Sequence, residues 1–139
     1  GIFHIFDRFD SSLAVLKLFP GCETGYFQPS EEVKAVLIIA YGAGTVPLTN
    51  TKLLKQVEVW IKQNKLVVLM SETMAGSTDL RLYESGNRLL KMGVLSTGDM
   101  TFPAVVTKIM FLLGQYQEMS MIKKNFCRSL AGEISEINH

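Results

Sequence analysis

At 139 residues, with 47% apolar and 19% charged positions, the chain has the size of one globular domain able to bury most of its apolar surface. Fourteen basic against thirteen acidic residues leave a formal charge of +1, without the basic stripe or acidic block that nucleic acid or membrane lipid would call for. Cys22 and Cys127 stand far apart and lack the spacing of a zinc or redox motif, so neither a metal site nor a disulfide framework is expected; no cofactor is expected either. The apolar runs are about six residues long where a spanning helix needs about twenty, and the N-terminus lacks a signal-peptide layout.

Four apolar runs, Leu13 to Phe19, Ala35 to Tyr41, Leu66 to Ser71 and Val94 to Ser96, lack polar alternation, as expected of strands buried on both faces of a parallel sheet. Between Asn50 and Gln63 the residues Leu53, Leu54, Val57, Trp60 and Ile61 fall on one helix face, with Asn50 or Thr51 as the cap. A second helix is expected from Thr78 and Asp79, through Leu82, Tyr83, Leu89 and Leu90, to Gly93, which suits the left-handed conformation past a helix end. A third runs from Thr101, with Pro103 in its first turn, to Gly114, and a fourth is capped by Ser120 and presents Ile122, Phe126 and Leu130. Strands alternating with helices give an α/β class: a single Rossmann-like domain with a four-stranded, mostly parallel sheet and helices on both faces. Residues 20–30 read as a loop, and the tail over 133–139 is expected to fray.

Taken alone, few side chains demand a function. The loop Gly42-Ala43-Gly44-Thr45 follows a strand at the edge where open α/β sheets bind ligands, yet it also reads as a plain tight turn. A dinucleotide fingerprint would require a third glycine where Pro47 stands. Tyr83 reads as a core tyrosine, Thr78, Asp79, Asp99 and Thr101 as helix caps, and Glu72, after the third strand, as a solvated or capping carboxylate. His4 and His139 have no companion nucleophile or ligand nearby, and the seven methionines and the Phe-rich lead-in read as core filler.

Five collinear motifs add to this: Ala14-Val15-Leu16-Lys17-Leu18-Phe19-Pro20-Gly21, Val33-Lys34-Ala35-Val36-Leu37, Tyr41-Gly42-Ala43-Gly44-Thr45-Val46-Pro47, Leu82-Tyr83-Glu84-Ser85-Gly86-Asn87 and Gly93-Val94-Leu95-Ser96-Thr97-Gly98-Asp99-Met100-Thr101. With Thr107-Lys108-Ile109, Leu113-Gly114-Gln115 and Arg128-Ser129-Leu130-Ala131-Gly132-Glu133, the chain resembles the C-terminal domain of the L-asparaginases over residues 11 to 133. The resemblance is to the cytoplasmic type and to the asparaginase part of mammalian asparaginase-lysophospholipases. It implies that residues 1–139 are such a domain, with 1–10 leading in from an absent N-terminal catalytic domain.

The family hydrolyses asparagine to aspartate and ammonia through a threonine nucleophile. The resemblance places that threonine, a Thr-Asp pair and an activating lysine in the absent domain, so this chain alone is expected to be inactive. It further implies a homo-oligomer in which Tyr83 reaches a partner subunit's threonine and the loop with Gly44 and Thr45 approaches the substrate. Thr45 stands where the family's loop usually carries asparagine, and a hydroxyl cannot offer an amide's carbonyl oxygen and NH2 together. Ile39 and Thr73 stand where regulated bacterial members carry an arginine and a cysteine, so allosteric control by that route is not expected. Asparagine, the chain's own N-terminal domain and further copies are the partners implied, in the cytoplasm. The rivals are an asparaginase-like subunit of a tRNA-dependent amidotransferase and a stand-alone small-ligand-binding regulatory module.

Overall fold

A computed structural model of the chain describes residues 7–41, 51–72 and 84–135. Four strands, β1 (Leu13–Lys17), β2 (Ala35–Ala40), β3 (Leu66–Ser71) and β4 (Leu95–Ser96), pair in parallel in the order β1-β2-β3-β4. Leu16 lies opposite Ile38, Ile38 opposite Leu69, and Leu69 opposite Ser96, so one row of side chains crosses the sheet. Central strands covered on both sides have no solvent face to alternate with, which is why β2 and β3 are continuous apolar runs.

Two separate cores result. On one face Leu16, Val36, Ile38, Val67 and Leu69 pack against Leu53, Val57 and Trp60 of α1 (Thr51–Lys62) and Leu89 of α2 (Glu84–Lys91). On the other, Leu37, Leu66, Val68 and Met70 meet Val105, Ile109 and Leu112 of α3 (Phe102–Gln115) and Ile122 and Phe126 of α4 (Met119–Phe126). The expected class, an α/β domain with a four-stranded parallel sheet between helices, is the architecture observed.

Helix ends explain the connections. Gly93, at φ 104°, ends α2 as expected: its N–H donates to the Leu90 carbonyl and that of Val94 to the Leu89 carbonyl. Asn64, at φ 60°, ends α1 in the same way, with its own N–H donating to Ile61 and that of Lys65 to Trp60. Thr101 caps α3 by accepting from the Ala104 N–H, with proline in the first turn.

Other expectations give way. The first strand stops at Lys17, because Pro20 and Gly21 (φ 83°) turn the chain and leave Phe19 exposed. Ser120 lies inside α4, whose N-cap is Glu118, so the serine caps nothing. Asp99 is not a helix cap either; it accepts from the backbone N–H and the hydroxyl of Ser135. Gly114 does not terminate α3, which continues to Gln115: a Cβ there would come within 2.2 Å of the Arg8 carbonyl oxygen, so the glycine admits the lead-in. Within the tail expected to fray, the Ser135 N–H is held by Asp99, and residues 136–139 lie outside the described residues.

Candidate functional site

Parity within the strands builds the edge where the site is sought. Val15 and Lys17 of β1, Ile39 of β2 and Met70 of β3 share the face covered by α3, and Glu72 follows in the same phase just beyond β3. Lys17 therefore reaches across the intervening Ile39, and its Nζ lies 2.9 Å from Glu72 Oε1. Beneath this pair, Val15, Ile39, Met70, Ser71 and Phe102 line a cavity of about 350 Å³. Both charged side chains are well exposed, and such a pair contributes about 0–1 kcal/mol. The carboxylate read from the sequence as merely solvated or capping thus has a cationic partner. Lys17 lies in an otherwise apolar run, and only the sheet register shows which acid it meets.

The Glu72 N–H donates to the Ala40 carbonyl at 2.8 Å, fastening the end of β3 to the end of β2. Segments 42–50 and 73–83 accordingly leave from neighbouring strand ends, and α2 begins at Glu84, directly after the second of them. Gly44, Thr45, Thr73, Thr78, Asp79 and Tyr83 themselves lie outside the described residues. Ile39 is half-buried in the cavity wall, an apolar group where an arginine would have brought charge.

Elsewhere charge serves the scaffold. At the opposite edge of the sheet, hydrogen bonds from Lys34 and Ser12 hold the Asp10 carboxyl at about 2. The buried Lys65 ammonium donates to the carbonyls of Ser30, Glu31 and Val33, closing the loop before β2. Lys108 of α3 pairs with Glu133 and also donates to the Arg128 carbonyl. Burial pushes the Glu133 carboxyl up, but Lys108 and the Ala131 and Leu130 amides outweigh it and hold the group at about 2. Among the described residues no group of three or more His, Cys, Asp or Glu is placed to hold a metal, and no helix is long and apolar enough to cross a membrane.

Comparison with known proteins agrees with this layout. The family model described as the glutaminase/asparaginase C-terminal domain matches residues 12–126. An L-asparaginase of Thermococcus kodakarensis is 33% identical over 133 residues, which are 94% of this chain and 40% of that protein. A glutamyl-tRNA(Gln) amidotransferase component from Aeropyrum pernix is 29% identical over 92% of this chain and 30% of its own length. Among solved structures, L-asparaginase I from Vibrio cholerae superposes with a TM-score of 0.83 at 27% identity, covering 98% of this chain and 41% of that one. The chain thus spans about 30 to 40% of the length of the relatives it matches.

Proposed function

Because the chain belongs to the glutaminase/asparaginase C-terminal domain family, we propose that it forms the pocket-completing and oligomerising part of a longer cytoplasmic L-asparaginase. That enzyme converts asparagine to aspartate and ammonia. The observation carrying this reading is the Glu72 to Ala40 hydrogen bond, which sets the starting points of segments 42–50 and 73–83 side by side on one edge of the sheet. Loops sharing an edge can act on one ligand, and open α/β sheets offer ligands that edge. Tyr83 supplies a hydroxyl that steadies the threonine nucleophile of a partner subunit, while Gly44 and Thr45 lie close to the substrate. The nucleophile, its Thr-Asp companion and the lysine that activates it belong to the preceding domain, so the chain alone does not turn over asparagine.

Ammonia release from asparagine tests this directly. The isolated chain is expected to be inert and the parent polypeptide active, with Tyr83→Phe in the parent losing about tenfold or more in kcat, the scale of a removed positioning group. Turnover by the chain alone would displace this reading and direct attention to Thr78 and Asp79. The likeness to the Aeropyrum protein favours a second reading, a component of a tRNA-dependent amidotransferase. That reading predicts ammonia transfer dependent on glutamyl-tRNA, whereas an asparaginase ignores tRNA.

A further inference from the structure

Beside α3, on the side of the sheet away from α1, Phe9, Pro103, Phe111, Leu130 and Ala131 line an apolar groove of about 510 Å³. Its walls are not fully covered: Phe9 is 53% and Leu130 46% exposed, although Phe9 already packs edge-on against Phe111 with centroids 6.0 Å apart. The charges at its floor are spent internally. Lys108 is held by Glu133 and the Arg128 carbonyl, and Glu133 also accepts from the Leu130 and Ala131 amides. Nothing in the groove asks for a charged occupant.

The path of the backbone says from where an apolar occupant arrives. Gln115 Nε2 donates to the Arg8 carbonyl and the Asp10 N–H donates to the Met110 carbonyl, both at 2.9 Å, and Gly114 lets the segment lie directly on α3. Asp7, the first described residue, therefore stands next to the rim that Phe9 forms. The matched family is a C-terminal domain, and the chain spans 40% of the Thermococcus enzyme, so most of such a protein lies on that side. We propose that the groove is the seat of the preceding domain of the same polypeptide, which presents an apolar surface to Phe9, Phe111 and Leu130. This rests on the chain being part of a longer enzyme.

The test uses the parent carrying Leu130→Cys with Cys22→Ser and Cys127→Ser, which remove the chain's own free thiols, labelled with a maleimide photo-crosslinker. It is assembled from a mixture of 15N-labelled and unlabelled chains, and the crosslinked peptides are identified by mass. Leu130 is exposed in this domain, so its replacement leaves folding intact. The expected products join position 130 to sequence before residue 1, with both peptides carrying the same isotope. Isotope-mixed products would hand the groove to a second copy and overturn the proposal, as would the absence of any crosslink to preceding sequence. Failure of the enzyme reading is seen separately. A parent that releases no ammonia but gives the expected crosslinks keeps the docking surface, and an active parent without them loses only that surface.

Discussion

Lys108 Nζ and a Glu133 carboxylate oxygen lie 2.5 Å apart with side chains only 3% and 13% exposed, so α3 and the segment after α4 share one closed pair of charges. Removing one member leaves the other buried without its counter-charge. Lys108→Met or Glu133→Gln alone is expected to cost about 3–5 kcal/mol, whereas the double replacement Lys108→Met with Glu133→Leu regains most of it. Urea unfolding of the three variants checks this, and equal losses in the single and double variants would contradict it.

Acid acts through the same pair. Glu133 and Asp10 are held at about 2, below their ordinary values of 4.5 and 3.8. Folded values lower than unfolded ones mean stability that is fully present above the unfolded values and lost as pH falls through the folded ones. Stability is expected to be level above about pH 5 and to decline between about pH 4.5 and 2. In Asp10→Asn the decline becomes shallower, because one of the two carboxylates no longer takes up a proton on unfolding. Denaturant titrations at a series of pH values measure both slopes.

Gly114→Ala is expected to cost about 1–3 kcal/mol, the scale of overpacking, because the new methyl group meets main chain and not a movable side-chain tip. Gly25→Ala, where nothing lies within 4 Å, serves as the neutral control. Thermal unfolding separates them, and faster hydrogen exchange at Asp10 in Gly114→Ala would locate the damage at the lead-in.

Asn64→Gly is expected to gain up to about 1–2 kcal/mol, since it removes a Cβ that at φ 60° crowds the following carbonyl. Asn64→Ala keeps that Cβ, gives up the short polar side chain that suits asparagine to this conformation, and is the less stable of the two. Calorimetry of both variants tests it; equal melting temperatures would mean that the turn relaxes.

Much of the scaffold is legible in the sequence because it is local. Apolar runs mark β2 and β3 closely, and the spacing of Leu53, Val57 and Trp60 gives the buried face of α1. Thr101 and Gly93 behave as their chemistry requires at helix ends. What escapes is what the chain assembles over distance. Asp99 and Ser135 meet across 36 positions, and no spacing rule connects Lys108 with Glu133. Gly114 shows a further limit: a glycine past an apolar stretch looks like a stop, and only the arrival of Arg8 reveals why a side chain is forbidden there. The pairing of Lys17 with Glu72 needed the register, while the glycine loop was marked by its place after a strand as well as by the family motif, and Tyr83 by the motif alone.

Lys65 adds a contrast to the two carboxylate clasps. Its ammonium is held by the carbonyls of Ser30, Glu31 and Val33, and peptide oxygens do not take up protons in the acid range that neutralises Asp10 and Glu133. Acid therefore unties the molecule selectively. The lead-in at Asp10, with its tie to Lys34 just before β2, and the strap at Glu133 lose their fastenings, while the carbonyls of Ser30, Glu31 and Val33 stay gathered on the Lys65 ammonium.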